Sequence, residues 1–153
     1  MECFLRCILR VKLYFDEKKD KFDELTVCGY KIRFDIYSYV HILSRHFYPS
    51  MNKLLGVSLN KKNKVLGDLD ELPSIILSLA EKYALKSGLS NCTEYLLYEI
   101  KGEKYILWIK YNSCGNFTCF QIRSFYNCNK KNDLDKFDNK IKVGIAADVY
   151  IYC

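Results

Sequence analysis

The sequence predicts an α+β domain in which two main helices pack on a small antiparallel β-sheet. Hydrophobic and polar residues alternate near both ends of the chain, a pattern typical of half-buried strands. Between about residues 36 and 86 the hydrophobic residues recur at helical spacing instead. The 153 residues are 50% hydrophobic and include only two prolines, which suits one domain with a single core. We therefore expect residues 1–153 to form a single domain.

A β-hairpin is expected first. Residues 9–15 alternate, with Leu9, Val11 and Leu13 on one face, and residues 30–34 alternate a second time after a charged turn. Two such runs that follow each other closely predict neighbouring antiparallel strands.

Two helices are expected next. From Ile36 the apolar residues take helical spacing; Asp35 is a suitable N-cap, and Pro49 would stop this helix. A second helix is expected over residues 70–86, with a proline in its first turn and Gly88 after its end.

The second half predicts further strands. Residues 93–100 and 104–111 flank a short Lys-Gly-Glu turn and predict another hairpin. A strand over 117–126 and a strand-like segment over 142–152 follow, separated by a polar loop.

Composition favours a chain that acts in the cytosol. The sequence contains eight cysteines but no Cys-x-x-Cys pair, so we expect reduced cysteines that serve as small hydrophobic residues. Neither a signal peptide nor a transmembrane segment is predicted. No phosphate-binding glycine loop or metal motif is found either, so no cofactor and no metal are expected. The net charge of +6 suits a polyanionic partner but does not identify one.

Both histidines of the chain lie within six residues, 41–46, and an arginine stands between them. Histidine titrates near neutrality and suits proton transfer, while arginine holds phosphate. On a helix, His41 and Arg45 project from one face, and His46 lies about 100° further round. This segment is the first candidate for a catalytic centre, although an ordinary buried helix would have the same pattern.

A second candidate is the strand end over residues 121–127. Alternation places Ser124 and Tyr126 on one face, where their hydroxyls could bind a phosphate, and Arg123 on the opposite face. Lys110 closes the strand that carries Trp108 and is either a phosphate contact or a solvent-facing residue. An amphipathic strand end explains the same residues.

The His-Ile-Leu-Ser-Arg-His segment at 41–46 and the Ile-Arg-Ser-Phe-Tyr strand end at 122–126 together resemble a known group. It is the ribonuclease superfamily that joins barnase, EndoU, the tRNA-cleaving colicins and RelE, in particular its phage-associated and polymorphic-toxin branches. The resemblance covers about residues 30–126. Asn127 departs from the pattern, because the family often has proline at this position.

The resemblance implies a metal-independent endoribonuclease of the toxin type that cleaves RNA, with tRNA as the substrate by analogy. A base would remove the 2′-hydroxyl proton, and an acid would protonate the leaving oxygen. It implies His46 as the preferred base or acid with His41 as its partner, and Arg45 as a phosphate clamp. Ser124 and Tyr126 would orient the phosphate. Arg123 and Lys110 are the candidate substrate-binding residues, and an immunity or antitoxin protein is the implied partner.

Two alternatives stay open on the residues alone. The first is a non-catalytic RNA- or protein-binding module, such as an immunity or phage anti-defence protein, in which surface tyrosines would stack on bases. The second is a thiol- or zinc-stabilised scaffold, which rests only on the cysteines. Expression in a host distinguishes the leading hypothesis from the first alternative, because a toxic ribonuclease poisons the cell.

Overall fold

The computed structural model describes residues 5, 8–9, 11–13, 16–17, 23–43, 45, 71–114 and 117–153, without the side chains of 113, 114 and 117. Its strands form one sheet. The elements, in chain order, are β1 (Asp23–Val27), β2 (Tyr30–Phe34), α1 (Ile36–Ile42), α2 (Leu72–Ser87), β3 (Tyr95–Ile100), β4 (Glu103–Cys114), β5 (Phe117–Asn127), α3 (Lys131–Leu134), a 3-10 turn (Asp135–Phe137), β6 (Lys142–Ala146) and β7 (Val149–Tyr152). The order of strands across the sheet is β1-β2-β5-β4-β3-β7-β6.

The α+β class is confirmed, but the small antiparallel sheet with two main helices is wrong. The sheet has seven strands, and β2 pairs with β5 in parallel. The named elements include four helical segments rather than two, and the described residues between 5 and 17 are helical as well. The strand-like segment at 142–152 divides into β6 and β7, because Asp148 turns the chain back with a φ of 55°. Parallel strands need a long connection between them. The segment between β2 and β5 supplies it, since it contains α1, α2, β3 and β4.

The strand predicted over residues 9–15 is also wrong. The described residues between 5 and 17 are helical, and the partner of β2 is β1. Leu5, Leu9 and Leu13 are four residues apart, so this segment fits a helical period as well as an alternating one. A salt bridge of 2.8 Å between Lys12 and Asp16 spans one helical turn.

The two predicted helix starts are confirmed at the ends that the structure describes. Asp35 caps α1 through its carboxylate, which accepts the Ser38 backbone N–H at 2.9 Å. Pro73 lies in the first turn of α2, and Gly88 follows its end with a φ of 78°. The expected stop of α1 at Pro49 lies outside the described residues.

The main core lies between helices α1 and α2 and one face of the sheet. Its fully buried members include Ile32, Ile42, Ile76, Leu107 and Phe120. A smaller cluster lies on the opposite face, where the α3 segment covers the sheet: Leu97, Ile106, Cys128 and Phe137. Trp108, which packs against this smaller cluster, also lines the candidate site.

A bulge interrupts the pairing of β4 and β5. Trp108 pairs with Ser124 and Ile109 pairs with Ile122, so Arg123 is an extra residue without a partner position on β4. Ile122 and Phe125 both belong to the main core. Arg123 and Ser124 therefore lie between two core residues, and the alternation of β5 shifts by one position there.

Helix α1 is fixed to β5 at this bulge. The buried Ser38 hydroxyl donates a hydrogen bond to the Ile122 carbonyl at 2.6 Å. The parallel pairing of β2 with β5 has ended by this point, at Arg33 and Gln121. Beyond this point β2 no longer donates hydrogen bonds to β5, and the Ser38 hydroxyl donates to the Ile122 carbonyl instead. This bond holds the first turn of α1 against β5.

The cysteines differ in state. Cys119 on β5 is in a disulfide, whereas Cys28, Cys92, Cys128 and Cys153 are free thiols. The expectation that the cysteines are all reduced is therefore wrong for Cys119.

No helix in the described part of the chain is long and apolar enough to span a membrane.

We predict that Ser38→Ala lowers the free energy of unfolding by about 2 kcal/mol, because it removes the hydroxyl that accepts the Asp35 N–H and leaves the Ile122 carbonyl unsatisfied. Urea denaturation measures the change. Ser74→Ala is the matched control: it removes an exposed hydroxyl that bonds the Glu71 carbonyl at the start of α2. We expect this control to cost less than about 0.5 kcal/mol. Equal losses in the two variants would contradict the anchoring role of Ser38.

Candidate active site

A pocket of about 710 Å³ lies where β4 continues past the start of β3. The first turns of α1 form one wall, and the turn at residues 91–94 forms the other. Neighbouring parts of β4 and β5 form its floor. The backbone N–H of Ile109 donates to the Glu94 carbonyl at 3.0 Å, which holds the turn against β4.

Four of the residues singled out from the sequence line this pocket together: His41, Lys110, Arg123 and Ser124. They come from α1, β4 and β5, so they are far apart in the chain. One titratable imidazole and two permanent cations therefore share a single concave surface. This combination suits an anionic ligand with an exchangeable proton.

The expectation that Arg123 and Ser124 face opposite sides of the sheet is wrong, and the bulge is the reason. In a regular strand neighbouring side chains alternate. Because Arg123 is the extra residue of the bulge, it and Ser124 line the same pocket. The bulge places a guanidinium beside a hydroxyl that is only 8% exposed.

Two groups hold the Arg123 guanidinium in place. Its Nη1 donates to Gln121 Oε1 at 3.0 Å, and the Gln121 amide donates in turn to the Asp35 carboxylate. The guanidinium also lies 4.5 Å from the centroid of the Tyr37 ring, in a cation–π contact. Asp35, which caps α1, is thus linked to the cation of the pocket through one amide side chain.

His41 lies one turn beyond Tyr37 on α1, and the two rings stack with centroids 5.7 Å apart and planes 19° apart. Burial lowers the pKa of His41 below its ordinary value, and the positive charges of Arg45 and Arg123 lower this pKa further. The imidazole is therefore held in its neutral form near pH 7. A neutral imidazole is the form that accepts a proton.

The remaining predicted residues are placed differently. Tyr126 does not line the pocket: its hydroxyl accepts the Trp108 indole N–H at 3.0 Å and donates to Asp133 at 3.2 Å. Burial is the main cause that raises the pKa of Tyr126 to about 12. Arg45 is exposed and acts on His41 through its charge. His46 lies outside the described residues.

The pocket residues that were not predicted from the sequence include Tyr37, Glu94 and Trp108. The four-residue spacing of Tyr37 and His41 on a predicted helix was a usable signal for the first. Glu94 lines the pocket from the turn before β3. No signal in the sequence marked it, because its position depends on the pairing of that turn with β4.

Within the described ranges, no group of three or more histidine, cysteine, aspartate or glutamate side chains is placed to hold a metal ion.

No family model matches the sequence, and no curated protein or solved structure is similar enough to count as a match.

We predict that His41 titrates below about 6.5, the ordinary histidine pKa, when followed by NMR of its ring protons. Arg123→Gln should raise the pKa but leave it depressed, because burial is the larger cause. The chain has two histidines, so His46→Gln assigns the signals. Since folding lowers this pKa, protonation favours the unfolded chain, and stability should fall as the pH drops below about 6.5. A pKa above 6.5 would contradict the described environment.

Proposed function

We propose that the protein is an endoribonuclease that cleaves RNA without a metal ion, by attack of the ribose 2′-hydroxyl. The observation that carries this proposal is the meeting of His41, Arg123 and Lys110 in one pocket. RNA brings its own nucleophile next to the phosphate, so such an enzyme needs a base, an acid and cations. The resemblance of segments 41–46 and 122–126 to the toxin-type ribonucleases supports the same reaction.

His41 is the base in this mechanism. Its neutral imidazole takes the 2′-hydroxyl proton, and the 2′ oxygen attacks the adjacent phosphorus. The bond to the 5′ oxygen breaks, and that oxygen takes a proton from an acid. The products are a 2′,3′-cyclic phosphate and a free 5′-hydroxyl. His46 is the candidate for the acid, as the sequence suggests.

Arg123 and Lys110 stabilise the charge that develops on the phosphate oxygens. Arg123 suits this role best, because Gln121 and Tyr37 already fix its guanidinium before a substrate arrives. Lys110 is exposed and meets the substrate at the rim. The Ser124 hydroxyl lies beside Arg123 and orients a phosphate oxygen by a hydrogen bond.

The biological setting follows from the resemblance. We expect a toxin of a bacterial or mobile-element conflict system that acts on RNA, by analogy tRNA, in the cytosol. An immunity or antitoxin protein that neutralises it would present acidic groups to the cationic pocket, since complementary charge speeds association and blocks the site.

We predict that the purified protein cuts cellular RNA into discrete fragments in excess EDTA. His41→Gln should slow cleavage by about 100-fold or more, the usual contribution of a general base. Arg123→Gln should cause a similar loss, because it removes a fixed cation from the transition state. Gel electrophoresis of the RNA over time measures both rates.

The control for both variants is Lys82→Gln, which removes an exposed positive charge from α2, away from the pocket. We expect it to cleave at the wild-type rate. Cleavage by His41→Gln at the wild-type rate would remove His41 from the mechanism. Binding of RNA by the wild type without any cleavage would favour the alternative function, a non-catalytic RNA-binding module.

A further inference from the structure

A second pocket of about 500 Å³ adjoins the candidate active site. The two pockets share Cys92, Thr93 and Glu94, so the turn before β3 forms a common wall. The second pocket is otherwise formed by the end of α2, the start of β3 and the C-terminal residues. The two pockets therefore lie next to each other.

Aromatic rings and a cation line this second pocket. Tyr95 and Tyr152 are partly exposed there, and Lys140 is exposed at its edge. The Tyr83 hydroxyl donates to the Tyr152 carbonyl at 3.1 Å, and the Tyr152 hydroxyl donates to Glu99 at 2.7 Å. These bonds fix the walls. Within the described part of the chain the Tyr95 hydroxyl has no hydrogen-bond partner.

Tyr95 connects the two pockets. It pairs directly with Trp108 across β3 and β4, and their rings meet edge to face with centroids 5.4 Å apart. Trp108 lines the candidate active site, while Tyr95 lines the second pocket. Because the Trp108 indole donates to Tyr126, it is held in one orientation, and the Tyr95 ring that packs on it is positioned as well.

The geometry points to the second pocket as the subsite for the nucleotide that flanks the cleaved phosphate, with its base stacked on Tyr95. This inference rests on the proposed function, since it assigns the substrate's path beyond His41 and Arg123. Aromatic rings are a usual contact surface for single-stranded nucleic acid, because each base has a face that can stack. The cations Arg123 and Lys110 lie in the adjoining pocket. Lys140 is placed at the rim to meet the next phosphate.

The test compares two RNA probes that the enzyme cannot cleave. Adenosine 3′-monophosphate fills only the candidate active site, whereas a 2′-O-methyl adenine trinucleotide extends into the second pocket. Trp108 is the only tryptophan of the chain, so its fluorescence reports the binding of both. We expect the wild type to bind the trinucleotide about tenfold or more tightly than the mononucleotide.

Tyr95→Leu should abolish this advantage, while Tyr95→Phe should keep it, because phenylalanine preserves the ring. Neither substitution should change the affinity for the mononucleotide. Lys140→Gln is a further variant at an exposed position. For the trinucleotide, this substitution should reduce the slope of log affinity against log salt concentration by about one, because one phosphate contact is lost. It keeps the inference testable if Tyr95→Leu fails to fold.

The outcomes separate the two proposals. If the mononucleotide binds and RNA is cleaved, but Tyr95→Leu and Lys140→Gln bind the trinucleotide like the wild type, the subsite is wrong and the proposed function stands. If neither probe binds and RNA stays intact, the proposed function itself fails, and the subsite with it.

Discussion

The candidate site depends on one irregularity, the bulge of β5 at Arg123. A regular strand would direct Arg123 and Ser124 to opposite faces, and one of the two would be lost from the pocket. The parallel pairing of β5 with β2 ends next to this bulge, at Gln121. Helix α1 approaches β5 there, and the Ser38 hydroxyl donates to the Ile122 carbonyl. One local distortion therefore sets the position of the guanidinium and of the helix that carries His41.

The electrostatics of the pocket favour a base that becomes stronger when substrate binds. In the free protein, burial and the charges of Arg45 and Arg123 lower the pKa of His41 and keep it neutral. A bound phosphate offsets the positive charge of Arg123, so the pKa of His41 should rise in the complex. The imidazole is thus available as an acceptor before binding and holds a proton better after it. Tyr37 contacts both groups and helps to fix their positions.

Local signals in the sequence predicted the local features of the fold. Pro73 and Gly88 marked the ends of α2, Asp35 marked the start of α1, and alternation found β2 and the β3–β4 hairpin. The sequence did not separate helix from strand at residues 9–15, because the apolar positions fit both periods. The parallel pairing of β2 with β5 and the bulge were missed for a different reason. Both depend on which strands become neighbours, and no glycine marks the bulge. For the site, the sequence singled out His41, Lys110, Arg123 and Ser124, but only the tertiary fold shows that they meet.

The chemical ends of the RNA fragments distinguish the proposed cleavage by the 2′-hydroxyl from other cleavage mechanisms. Mass spectrometry of a short RNA cut in EDTA should show a 2′,3′-cyclic phosphate on one fragment and a 5′-hydroxyl on the other. A single 2′-deoxy substitution at the cleaved position should block the cut, because it removes the hydroxyl that the proposed mechanism uses as the nucleophile. Fragments with 5′-phosphate ends, or cleavage of the 2′-deoxy substrate, would contradict the mechanism assigned to this pocket.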